Sequence, residues 1–183
     1  MKSLPGRIVG LLSALGFALV TGTASALPIV LDQWYTFGFF GTAPPPDPLV
    51  SGTGFVLGDR SIAAPDPAWT FNCPIYKCHL IVTDGFLAID QFQLFDFGVS
   101  IGLTSAPSGD ANHSCGTDEL GCLADAQMSH GVFIVGFGAH SITGFHVVGI
   151  PGAGFMIVKI PEPGTLALMG VGLLMLVGLR RRA

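Results

Sequence analysis

The stretch Gln91-Phe92-Gln93-Leu94-Phe95-Asp96-Phe97-Gly98-Val99-Ser100-Ile101-Gly102-Leu103 decides the fold class. Phe92 and Leu94 alternate with Gln91 and Gln93, and beyond Asp96-Phe97-Gly98 the apolar Val99, Ile101 and Leu103 alternate with Ser100, Gly102 and Thr104. A period of two sends successive side chains to opposite faces of an extended strand, so two such runs around a short Gly-containing connection predict a β-hairpin.

The same reading extends outward in both directions. Upstream, His79 to Thr83 reads as a strand turned by Asp84-Gly85, Trp69 to Asn72 as another, Phe55 to Leu57 as a weak edge strand, and the aromatic run within Leu27 to Phe40 as the first. Prolines at 44, 45, 46, 48, 65 and 67 mark the intervening loops. Downstream, 105–130 reads as a long loop with a helical turn near Asp118 to Met128, followed by strands at Val132 to Val135, His140 to Ile150 and Gly154 to Ile160, with a turn at 136–139. In the long strand His140, Ile142, Gly144, His146 and Val148 share one face. About eight short strands without an amphipathic helix predict an all-β body, an antiparallel β-sandwich of jelly-roll type.

The two ends of the chain follow different rules. Lys2 and Arg7 precede an apolar run from Ile8 to Val20, and Ala24-Ser25-Ala26 supplies a small-residue cleavage site, the three zones of a signal peptide over 1–26. Such a leader, a signal helix used by the Sec export machinery, places the rest of the chain outside the cytoplasm. At the other end, residues 164–179 carry no charge and as a helix cover about 24 Å, against a hydrocarbon core about 30 Å thick. Arg180, Arg181 and Arg182 follow, and basic flanks stay on the cytoplasmic side, so 161–183 reads as a single transmembrane helix with the body outside. Pro161-Glu162-Pro163 stands immediately before it.

This order of Pro-Glu-Pro, short apolar segment and arginine cluster resembles the PEP-CTERM sorting signal of exported proteins from Gram-negative bacteria that make exopolysaccharide. The resemblance covers residues 161 to 183. It implies an exosortase, a membrane-embedded cysteine-peptidase-like enzyme, as the processing partner near Pro161, Glu162 and Pro163. It also implies transient anchoring in the inner membrane, then release to the cell surface or beyond. The stretch from Trp69 to Ile160 is similar to the extracellular bodies often joined to that signal, which commonly carry Asp-Asn-Gly where this chain has Asp96-Phe97-Gly98.

The body, 27–160, is 134 residues, the size of one domain. Eleven acidic against three basic side chains leave it at −8 with histidine neutral, which excludes a basic nucleic-acid-binding surface. Cys73, Cys78, Cys115 and Cys122 form an even set in an exported body and predict disulfides. Four cysteines allow three pairings. The two local ones, Cys73 with Cys78 and Cys115 with Cys122, are favoured because each brackets a turn-rich segment.

Catalytic patterns are missing from the sequence. There is no Gly-x-Ser-x-Gly elbow, no His-Glu-x-x-His and no Gly-x-x-x-x-Gly-Lys, so no catalytic residue, cofactor or metal ligand is assigned. Asp84, Asp90 and Asp96 recur every six residues, a pattern that suits turn-forming aspartates better than a dense calcium loop. His140 and His146 lie nearly 20 Å apart along a strand, too far to chelate one metal. Two functions follow as expectations. One is a non-enzymatic exported surface or matrix protein associated with exopolysaccharide or biofilm. The other is a carbohydrate-binding module using Trp34, Tyr35, Trp69 and Tyr76 as a stacking platform.

Overall fold

The structure, a computed structural model, describes residues 28–161. The signal helix at 1–26 with Ala24 and Ala26, the transmembrane segment, and Glu162, Pro163, Arg180, Arg181 and Arg182 lie outside the described residues. Among the described residues no helix is long and apolar enough to cross a membrane.

In chain order the elements are β1 (Trp34–Phe39), β2 (Asp47–Pro48), β3 (Ser61–Ala63), β4 (Trp69–Asp84), β5 (Phe86–Leu87), β6 (Gln91–Asp96), β7 (Val99–Leu103), β8 (Ser114–Gly116), α1 (Glu119–Ala124), β9 (His130–Val148) and β10 (Gly152–Lys159). The all-β class is as expected. The main sheet runs β3-β1-β10-β4-β9-β6-β7 with β2 on β9, and β5 pairs with β8 in a separate ribbon. All pairings are antiparallel except β1 with β3.

The expectation is an antiparallel sandwich of about eight short strands joined by Gly and Pro turns; the strands hydrogen-bond into one continuous main sheet beside the two-stranded ribbon. Segments read as separate strands are joined: Trp69–Asn72 and His79–Thr83 are parts of β4, and Val132–Val135 and His140–Ile150 fall in one strand, β9, which ends at Val148. These two strands stay paired along almost their whole length, with one irregularity where 74–76 loop out against Gly136–Gly138. Turn-forming Pro74, Gly136 and Gly138 therefore bend the strands without breaking the ladder, as bulges do. Phe55 to Leu57 is loop, not an edge strand.

The main sheet curls back on itself. Strands β1 and β6 are four places apart, about 19 Å in a flat sheet at the usual strand spacing. Yet the rings of Phe37 and Phe92 meet with centroids 5.2 Å apart, edge to face, and Phe37 also touches Trp69 at 5.7 Å. The main core fills that curl with Tyr35, Phe37, Phe39, Trp69, Leu80, Val82, Phe92, Leu94, Ile142, Met156 and Val158. Segment 47–50 lies across its mouth, pairing with β9 at Asp47–His146 and bridging β1 at Gly38–Val50.

The alternate residues of β1 and β10 do not face water. Trp34, Phe155 and Ile157 form a second, smaller cluster with Cys122 on the outer face. The loop after β8 and the short helix α1 cover it, which is why all six residues of β1 are buried. Glu119 of α1, itself fully buried, accepts the Arg60 backbone N–H at 2.9 Å. Arg60 also reaches Asp118 at 2.6 Å, clamping the 58–60 loop to the helix.

Cys73 bonds to Cys78 across the β4 bulge and Cys115 to Cys122 across the start of α1. The first staple closes the bulge within β4 and the second ties β8 to α1. Short loops of this kind stabilise by about 2 kcal/mol each.

Candidate functional site

Two places in the fold bear on function: the junction where the body meets the C-terminal signal, and a buried acid–histidine system that joins β6 to β9.

The junction is built by β10. Its Phe155 and Ile157 pack outward and Met156 and Val158 inward, so the strand is buried on both faces, and it lies between β1 and β4 in the sheet. Its last pairing is Lys159 with His79. Ile160 still packs against the main core, and Pro161 follows directly, half-buried. One residue therefore separates the end of a central strand from the Pro-Glu-Pro triplet. A backbone cut at or after Pro161 removes no rung of the ladder.

The acid–histidine system arises from the two six-residue repeats in the sequence. In an antiparallel ladder a step forward on one strand meets a step back on the other, so aspartates six apart on β6 and its approach meet histidines six apart on β9. Asp90 Oδ1 lies 2.9 Å from His146 Nε2, and Asp96 Oδ2 lies 2.7 Å from His140 Nδ1. The remaining ring nitrogens donate to backbone carbonyls, His146 Nδ1 to Gly41 at 3.2 Å and His140 Nε2 to Gly136 at 2.9 Å. Phe39 stacks on His146 with centroids 4.3 Å apart, and Phe71 lies against His140 at 5.1 Å.

Asp84 completes the first pair. Its carboxylate accepts the backbone N–H of Gly85 at 2.8 Å and of Asp90 at 3.1 Å, holding the turn between β4 and β6. Burial, and then the adjacent Asp90 carboxylate, push the Asp84 carboxyl up to about 9. Above this cluster sits a cavity of about 200 Å³ lined by Phe55, Val56, Phe86, Leu87, Ile150 and Asp90 among others, with Asp90 as its ionisable residue. Every polar atom of the two histidines is consumed by internal bonds. The three aspartates do not converge, and among the described residues no group of three His, Cys, Asp or Glu side chains is placed to hold a metal.

The stacking platform does not form. Trp34, Tyr35 and Trp69 are 6%, 4% and 0% exposed. Trp69 donates its indole N–H to the Pro65 carbonyl and the Tyr35 hydroxyl accepts the Val30 N–H, both at 2.8 Å. Only Tyr76 of the four stands in solvent. Aromatic supply in a small sheet protein fills the core first, because each ring removes a large apolar area from water.

His140 and His146 share one face of β9, as their even spacing implies, and the matching six-residue spacing of Asp90 and Asp96 is the signal in the sequence for their partners.

Residues 159–182 match the family model of the PEP-CTERM protein-sorting motif. No curated protein and no solved structure matches the chain.

Proposed function

From the sorting motif at 159–182, which marks an exported protein handled by exosortase, we propose that the body is a non-enzymatic surface or extracellular-matrix component. In this reading the Sec machinery exports it, the C-terminal segment holds it briefly in the inner membrane, exosortase processes it near the triplet, and the released body associates with exopolysaccharide or biofilm. The observation that carries the reading is the junction: β10 is complete at Lys159, so processing beyond Pro161 releases a folded body with its sheet intact. Two local disulfides and an acidic body suit an oxidising, hydrated exterior.

The test is the intact mass of the protein recovered outside its native cells, with and without the exosortase. A start at Leu27 and an end close to Pro161-Glu162-Pro163, seen only when the enzyme is present, supports sorting. Retention of Ala183 in both strains overturns it.

A carbohydrate-binding role is the second reading. It now rests on a polar hollow of about 390 Å³ lined by Ser108, Asp110, Asn112, His113 and Gln127, whose amides, hydroxyl and carboxylate suit a hydroxyl-rich ligand. Polysaccharide retention that disappears in an Asn112→Ala, Gln127→Ala double variant supports it, and retention unchanged by those substitutions removes this hollow from consideration.

A further inference from the structure

The body has three basic side chains, Arg60, Lys77 and Lys159. Arg60 is engaged by Asp118 at the α1 end of the fold. Lys77 and Lys159 stand together at the end of the sheet from which the chain departs. Lys159 pairs with His79, and two residues further along β4 Lys77 pairs with Gly136 of β9. Because β10 is antiparallel to β4, the chain leaving Lys159 heads toward Lys77 and the bulge.

That bulge carries the two most exposed large apolar side chains among the described residues. Tyr76 is 75% and Phe137 is 74% exposed, on facing segments of β4 and β9, with Ile134 nearby at 67%. The Lys77 ammonium lies 5.2 Å from the centre of the Tyr76 ring. Of the acids at this end, Asp96 is occupied by His140, and Asp32 sits where its N–H bonds the Val158 carbonyl. Aromatic rings with a polar or cationic neighbour belong to the chemistry of a bilayer interface, where the ring sits at headgroup level and lysine reaches the phosphates.

Five residues, 160–164, separate Lys159 from Thr165, where the uncharged apolar run to Leu179 begins. Fully extended they span at most about 17 Å. Anything at this end of the sheet is therefore held within a short reach of the bilayer while residues 165–179 are in it. The remaining surface is acidic and is repelled by anionic lipid.

We propose that this end of the sheet is a membrane-facing surface of the unprocessed chain, resting on anionic lipid headgroups through Lys77 and Lys159 with Tyr76 and Phe137 at the interface. It rests on the reading that the C-terminal segment occupies the membrane before processing. Docking fixes the height and orientation of Pro161 at the outer face, where the processing enzyme meets it.

The test uses the full chain in phosphatidylcholine–phosphatidylglycerol vesicles with bromine on acyl carbons near the headgroup. Tyr76→Trp reports this end, with Phe137→Trp as a second probe. Val56→Trp reports the far end beside the start of β10, where Val56 is 65% exposed. The native Trp34 and Trp69 are buried in all variants and give a constant background. Expected is quenching of the first two probes and not of the third. Lys77→Gln and Lys159→Gln should each lower the docked-to-undocked ratio about fivefold, and added salt should act in the same direction. Flotation with the vesicles but equal quenching at all three positions overturns the docking surface while leaving the membrane reading in place. Failure to float overturns the membrane reading, and the docking surface with it.

Discussion

At the residue scale, Phe97 and Asp84 show how single positions are tuned by what surrounds them. The β6–β7 hairpin turns through Phe97 and Gly98 with φ of +47° and +78°. Positive φ at both central positions is what a type I′ turn requires, and glycine accepts it freely whereas phenylalanine does so against its Cβ. The turn holds this geometry with phenylalanine at a position where type I′ turns favour asparagine. Phe97→Asn is expected to stabilise the body by about 1 kcal/mol, read as a higher urea midpoint at unchanged slope. Asp84 carries the opposite lesson. Its folded pKa of about 9 exceeds its ordinary 3.8. The folded state thus holds a proton that the unfolded chain has lost, and this contribution is full below about pH 4, declines as pH rises and is gone above about 9. Asp84→Asn should flatten the fall in stability across that window, measured by denaturation midpoints at acid, neutral and alkaline pH. A wild-type stability that rises from pH 5 to 9 with no change in slope in the variant would contradict the assignment.

At the element scale, β6 and β9 are held in register by more than backbone bonds. Asp90–His146 and Asp96–His140 act as two rivets in one ladder, and a slip of one residue separates both partners and turns the apolar face of β6 outward. Their environments differ. The Asp90 and His146 side chains are 4% and 0% exposed, those of Asp96 and His140 18% and 9%. Removing one partner of the fully buried pair leaves the other polar group stranded, so Asp90→Ala should cost about 3–5 kcal/mol. Asp96→Ala, where water reaches the orphaned ring, should cost about 2 kcal/mol. Equal losses in urea titrations of the two variants would show that burial is not what separates them. The hairpin and the inward face of β9 were legible because alternation is local, a matter of Phe92 and Leu94 against their glutamines. The joining of two predicted strands into β9 was not, because Gly136-Phe137-Gly138 carries a turn signal that the partner strand overrides by continuing to pair.

At the scale of the whole molecule, the curl of the main sheet is maintained by aromatic contacts between strands distant in the sheet order. Phe37 is the centre of it, fully buried and in contact with both Trp69 and Phe92. Phe37→Ala removes the contact from both sides and is expected to cost about 3–5 kcal/mol. Tyr76→Ala, on the exposed bulge, should stay within about 0.5 kcal/mol in water. A thermal or urea series of the two variants checks the ordering, and comparable losses would place Tyr76 in the fold rather than on its surface.

The sequence by itself determined the class of the body, the hairpin at its centre, the local spacing of the cysteines and the sorting motif at its end. Each of these is read from short-range patterns, through alternation within a strand, short-loop closure or a contiguous motif. The tertiary structure alone decided that the main sheet is continuous and curled, that Trp34, Tyr35 and Trp69 are core rather than platform, and that two sets of evenly spaced aspartates and histidines are partners. It also brought Lys77, Tyr76 and Phe137 to the end of the sheet where β10 runs into the sorting motif. Those outcomes depend on which strands lie next to which, and strand order is set by burying apolar faces contributed from distant parts of the chain.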